Sequence, residues 1–142
     1  MFKVLLAVDA DEARALAGAE ATISLPDAAQ TVQATVLNVQ KDIELTSGEG
    51  GSVDSDQWYD EGEFPSSAKK ARERLEDAGV AVEMRREHAD PAEAIIEVAD
   101  EIDADRIVIS GRKRSPVGKV LFGSVTQSVL LASDVPVTVA MV

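Results

Sequence analysis

The chain has 142 residues but no cysteine, one histidine, and only three Phe, one Trp and one Tyr. Missing thiols exclude disulfides, a thiol nucleophile and cysteine-ligated metals. A single histidine, His88, excludes zinc sites built from several imidazoles, and it is read as a structural residue at the end of a strand. No apolar run approaches the ~20 residues of a membrane-spanning helix. The apolar start, Phe2–Val8, is too short for a secretory signal and lacks a cleavage pattern, so a cytoplasmic protein is expected. Lysine is scarce as well. Only six stand against 26 acidic residues, and the net charge is −12. Such a surface repels nucleic acid and anionic membranes, so neither is expected as a partner. It suits a cytoplasm of high salt, where self-repulsion is screened. A hydrophobic fraction of 45% over this length is ordinary for one domain, 1–142, with its own core.

One absence is local. With 26 acids in the chain, a window of 28 residues should hold about five, yet the stretch 106–133 holds none. It does hold Arg106, Arg112, Lys113, Arg114 and Lys119. Apolar Ile107, Val108 and Ile109 lead in, and Gly111, Pro116 and Gly118 break the pattern. Gly123-Ser124 then opens an amphipathic run in which Phe122, Val125, Val129 and Ala132 share one helical face. Strand, glycine-containing loop and helix follow one another, with cations beside the helix start. Free backbone N–H groups and the positive end of the helix dipole point the same way there, which makes an anion site.

The rest of the chain reads as a scaffold for this loop. Phe2–Val8 is almost continuously apolar, as a strand buried on both faces must be, and Asp9 follows at its carboxyl end. Helical spacing of Leu16, Ala19 and Ile23 predicts a helix over 11–25, capped by Asp9 with Glu12 or by Asp11 alone, and stopped by Pro26. The β-branched run 31–39 predicts a second strand. Residues 41–65 look irregular, with a glycine cluster and an acidic stretch around Trp58 and Tyr59. Those two rings are read as packing the loop onto the domain, and the acidic stretch lacks the spacing of an EF-hand. A helix over 66–78 ends at Gly79, and 80–86 alternates as a third strand. Asp90-Pro91-Ala92-Glu93 sets an N-cap, a first-turn proline and a capping-box acid directly before Ile95 and Ile96. A fourth strand at 106–110, the last helix and a fifth strand at 136–142 complete a β-α-β-α-β-α-β-α-β order. That order implies an α/β, doubly wound parallel sheet with helices on both faces. Ligands bind such sheets at the strands' carboxyl ends, where Asp9, Val39 and the loop after Ser110 all fall.

Several segments in this order resemble the universal stress protein family. They are Val4-Leu5-Leu6-Ala7-Val8-Asp9, Ala34-Thr35-Val36-Leu37-Asn38-Val39, Asp90-Pro91-Ala92-Glu93-Ala94-Ile95-Ile96, Ala104-Asp105-Arg106-Ile107-Val108-Ile109, and Gly123-Ser124-Val125-Thr126-Gln127-Ser128-Val129-Leu130 running on to Val135-Pro136-Val137. The chain reads as an acidic, haloarchaeal-type member. The resemblance implies a five-stranded Rossmann-like sheet in the order 3-2-1-4-5, usually dimeric. One branch of the family binds ATP through Gly-x2-Gly-x9-Gly-Ser/Thr; another lacks that motif and binds no nucleotide. Here Gly123 and Ser124 keep the end of the motif, while Ser110 and Lys113 stand at its first two glycine positions. The resemblance implies a nucleotide site of Ala7, Val8, Asp9, Val39, Ser110, Gly111, Arg112, Lys113, Gly123, Ser124 and Val125. Asp9 would meet the ribose or a Mg²⁺ ion, and Val39 the adenine through its backbone. Phosphate would meet Ser110, Gly111 and Arg112, with donors from Gly123 to Val125.

Three readings follow. The first is a cytoplasmic stress or signalling protein that binds ATP or a related adenine nucleotide without rapid turnover. No general base is evident at the loop, Ser124 has no histidine beside it, and no catalytic residue is named. The second is a dimeric interaction module that binds no nucleotide. The third is slow ATP hydrolysis or phosphotransfer with Mg²⁺ on Asp9. Independently of all three, Val137, Val139 and Met141 alternate with Thr138, Ala140 and Val142, so both faces of the last strand are nearly apolar. An apolar edge invites pairing, and a homodimer through this strand is expected.

Overall fold

The fold is built outward from one strand that has no polar face to show. In the computed structural model, which describes residues 1–40, 64–111 and 122–142, β1 (Phe2–Val8) carries Val4, Leu5 and Leu6 at 0%, 0% and 1% exposure. Both of its faces must therefore be covered. The elements that follow are α1 (Glu12–Ile23), α2 (Ala28–Thr31), β2 (Val32–Gln40), α3 (Ser66–Asp77), β3 (Ala81–His88), α4 (Pro91–Glu101), β4 (Arg106–Gly111), α5 (Ser124–Ala132) and β5 (Val137–Met141). The five strands form one sheet in the order β3-β2-β1-β4-β5, with every neighbouring pair parallel. The doubly wound arrangement and the strand order are those expected from the sequence.

The alternation of β1 sorts the core into two layers. Val4, Leu6 and Val8 pack with Val32, Ala34 and Val36 of β2 against Ala15 and Ala19 of α1 and Ala68, Ala71 and Leu75 of α3. Leu5 packs on the other face with Leu37, Ile107 and Ile109 against Ile95, Val98 and Ala99 of α4 and Val129 of α5. Each fully buried leucine or valine stabilises the fold by about 1.5–3 kcal/mol through removal of apolar surface from water. Across α1 and α3, Lys70 reaches Glu12 at 2.7 Å and Arg74 reaches Glu20 at 2.5 Å. These pairs lie at the surface and add little beyond register. The hydrogen bond from Lys70, with a second from Ser66, holds the Glu12 carboxyl below the usual carboxylate range.

Local chemistry sets the helix ends. Asp11, not Asp9, caps α1, accepting the Arg14 N–H at 2.9 Å. Asp90 caps α4 through the Glu93 N–H, with Pro91 in the first turn. Gly79, at φ 83°, closes α3 in a Schellman turn, its N–H on Glu76 and that of Val80 on Leu75. Asp103 does the same for α4 at φ 55°, with Asp103 N–H on Asp100 and Ala104 N–H on Ala99.

Three expectations need correction. The first helix ends at Ile23, not 25, and a further single turn, α2, stands before β2. The third strand runs on to His88, because β2 pairs with it as far as Gln40↔His88. In α5 the inward residues are Thr126 and Val129; Ala132, and Phe122 ahead of the helix, both placed on the inner face by spacing alone, are exposed. The packing of Trp58 and Tyr59 and the acidic stretch around them lie outside the described residues.

Candidate functional site

The sheet itself opens the crevice. β1 and β4 are neighbours, but their ladder runs only from Val4↔Arg106 to Leu6↔Val108, while β1 continues to Val8 and β4 to Gly111. The strand tips therefore part at the point where the winding of the sheet reverses, which is where such folds leave room for a ligand. A cavity of about 370 Å³ lies there, within the size range of small-molecule sites. It brings together Ala7, Val8 and Asp9 from the end of β1, Val39 from β2, Ser110 and Gly111 from β4, and Gly123, Ser124 and Val125 from the start of α5. Every described residue of the site expected from the sequence thus lines one cavity. Arg112 and Lys113 lie outside the described residues.

Its walls are apolar. Leu37, Val39, Ile95, Ile109 and Phe122 face it, with Pro91 from the first turn of α4. Gly111 permits the close packing at one corner. A Cβ there would meet Val139 Cγ1 at 2.9 Å, Met141 Sδ at 3.0 Å and Phe122 Cδ1 at 3.3 Å, so a side chain would push these three apart.

The rim is polar and tied down. Asn38, 2% exposed, donates its amide to the Val8 carbonyl at 3.2 Å and receives the Gln40 amide at 3.0 Å. The fully buried Ser67 donates its hydroxyl to the Asp9 carbonyl at 2.5 Å. Thr126 donates to the Ser110 carbonyl at 3.1 Å, fixing α5 to the tip of β4. Gly123 caps α5 without a side-chain bond, and the first backbone bond of the helix is from Gln127 N–H to Gly123 carbonyl at 3.0 Å. The N–H groups before Gln127 have no acceptor within the helix and carry the positive end of its dipole. Opposite them sits an ion pair that spacing did not disclose. Arg14, from the first turn of α1, places Nη2 at 2.7 Å and Nε at 2.9 Å from Oδ2 of Asp9. Oδ1 of Asp9 accepts the Asp11 N–H at 2.9 Å.

Sequence reasoning found the strand tips and the helix start, since these follow from position in the fold. It missed Arg14, Asn38, Ser67, Thr126 and Phe122. Asn38 had a signal, as a polar residue inside an otherwise buried strand; Ser67 acts across the fold and had none, and Arg14 reaches back across the β1–α1 turn to Asp9 at a spacing that no capping pattern marks. Among the described residues, no three His, Asp or Glu side chains form a group that could hold a metal ion, and no helix is long and apolar enough to cross a membrane.

A model of the universal stress protein family matches residues 1–140. A universal stress protein of Mycolicibacterium smegmatis is 44% identical over 64 residues, a stretch that covers 44% of this chain and 49% of that protein. Among solved structures, a universal stress protein from Archaeoglobus fulgidus superposes with a TM-score of 0.70 at 28% identity, over 98% of each chain. A universal stress protein from Archaeoglobus fulgidus in complex with dAMP superposes at 0.69 and 23% identity, over 98% of this chain and 97% of that one.

The tie from Asn38 to β1 gives a stability prediction. Asn38→Ala leaves the buried Val8 carbonyl without its donor and should destabilise the protein by about 1–3 kcal/mol, whereas Gln40→Ala should cost under about 1 kcal/mol. Urea unfolding of the two variants checks the difference; equal losses would show that the bond to Val8 contributes nothing of its own.

Proposed function

This chain belongs to the universal stress protein family, and on that footing we propose that it binds an adenine nucleotide, ATP or a close relative, as a cytoplasmic stress-response or signalling protein. The observation that carries the reading is an uncapped helix start aimed at an apolar-walled cavity. Leu37, Val39 and Ile95 offer a planar base an apolar slot, with the Val39 backbone at its edge. Ala7, Val8 and Asp9 stand where the sugar would lie. Ser110, Gly111 and the N–H groups of Gly123, Ser124 and Val125 stand where phosphate oxygens would be held, with Arg112 and Lys113 next in the chain. The relative complexed with dAMP supports this choice of ligand. Its role is binding, not turnover.

Denaturing the purified protein should release an adenine nucleotide, and ATP should bind the stripped protein in calorimetry at high salt. Ser124→Glu adds a carboxylate among the phosphate donors and should weaken that binding by about tenfold or more. Loss of the glycines at positions 110 and 113 favours a second reading, a dimeric module that binds no nucleotide; an empty preparation together with a flat titration would establish it over the first.

The outer strand supports a homodimer. β5 pairs only with β4 among the described strands, and Val137, Val139 and Met141 are half-buried there. Leu131, on α5, is 82% exposed. Antiparallel pairing of two β5 edges would cover this apolar rim. Sedimentation at high salt should give twice the chain mass, and Val139→Lys should give a folded monomer; a monomeric parent chain would refute the pairing.

The charge of −12 supports a protein fitted to high salt. Its unfolding midpoint should climb as KCl screens the self-repulsion. A midpoint indifferent to KCl would remove that reading.

A further inference from the structure

Arg14 lies inside the cavity, yet nothing in the strand-loop-helix pattern of the nucleotide site calls for it. Its backbone N–H is the one that the Asp11 side chain accepts, so the residue is fixed on the first turn of α1. Its side chain is only 17% exposed and lies against Asp9 through two nitrogens on the same oxygen, Oδ2. The other oxygen, Oδ1, already accepts the Asp11 N–H.

This geometry bears on the Mg²⁺ ion expected at Asp9. Magnesium is usually held by one or two carboxylates together with substrate phosphates, so a lone carboxylate would be no obstacle. The obstacle is charge. Oδ2 takes two charge-assisted bonds from the guanidinium and Oδ1 takes the Asp11 N–H, so a metal on the lone pair left to Oδ1 would stand beside the guanidinium's positive charge, and on Oδ2 it would have to displace that guanidinium. A magnesium ion does not fit this donor set.

We propose that the Arg14 guanidinium is the resident cation of the cavity, standing at Asp9 where a divalent metal would stand, so that the site takes its anionic ligand without metal. The Nη1 group of Arg14 has no partner among the described residues and keeps its N–H donors for that ligand. Arg14 and Asp9 cancel one another in charge. Among the described residues, the negative charge of the ligand therefore falls to the start of α5 and to Nη1, and no cation need enter with it. The choice of a nucleotide as ligand rests on the function proposed above; the exclusion of metal from Asp9 does not.

Two measurements on the full chain separate these. The first needs no nucleotide. Mn²⁺ is titrated into the stripped protein while amide NMR signals are followed. Selective broadening around Asp9 should be missing in the parent chain and should appear in Arg14→Gln, which frees the carboxylate; circular dichroism confirms that the variant is folded. The second is ATP calorimetry in Mg²⁺ and in excess EDTA. The parent affinity should agree between the two within about twofold. In EDTA, Arg14→Gln should lose about tenfold and Arg14→Lys much less. Selective Mn²⁺ broadening at Asp9 in the parent chain, or a parent ATP affinity that falls about tenfold on adding EDTA, would overturn the proposal. If ATP binds under neither condition, the nucleotide reading fails, and the Mn²⁺ titration still decides whether Arg14 holds the metal position.

Discussion

Everything in this molecule depends on burying β1 from both sides. Val4, Leu5 and Leu6 have essentially no exposed surface, and neighbours in sequence point to opposite faces. A strand of this kind sits only at the centre of a sheet with helices above and below. Helices on both faces require the chain to wind outward from β1 in one direction and then in the other. The reversal falls between β1 and β4, and there the ladder stops short of both strand tips. The cavity is thus a by-product of how the core is covered, and its position is set before any residue that lines it.

The lining adds chemistry to that position through contacts between elements distant in sequence. Ser67 comes from α3 to hold the tip of β1, Asn38 from β2 and Thr126 from α5. Such bonds matter more here than at the surface, because the donors come from buried side chains that have few substitutes within reach. The Asp9–Arg14 pair belongs to the same rim but differs in kind. It is local, formed across the β1–α1 turn, and half-open to the cavity.

How much of this could be read from the residues depended on the range over which each feature is determined. The central strands were legible because double-sided burial leaves a continuous apolar run. The cap of α4 was legible because Asp90, Pro91 and Glu93 act within one turn. The single turn α2 carries no periodicity and was not. Asp103 was hidden because an aspartate in the left-handed conformation closes α4 where a glycine would have announced itself. The length of β3 was set by its partner, since pairing with Gln40 holds His88 in the strand. The face of α5 was misplaced for a related reason. Thr126 turns inward beside Val125 and Val129 to reach the Ser110 carbonyl, and Ala132 at the end of the apolar spacing is left exposed. In the site, backbone positions followed from topology, whereas Arg14 and Ser67 depended on contacts no pattern records.

The three side-chain ties at the strand tips have an effect beyond anchoring. Val8, Asp9 and Ser110 would each present a carbonyl oxygen at the mouth of the crevice, and each is taken up by a donor from Asn38, Ser67 or Thr126. Strand tips would otherwise form a ring of lone pairs, hospitable to cations and repellent to phosphate. With one lone pair of each oxygen taken, the N–H groups of α5 and one nitrogen of Arg14 stand among the donors offered by the described residues. The mouth is biased in the sign of its hydrogen bonding, toward guests rich in acceptors. That bias is set by the backbone at the start of α5 together with side chains placed on β2, α3 and α5, elements that also build the core.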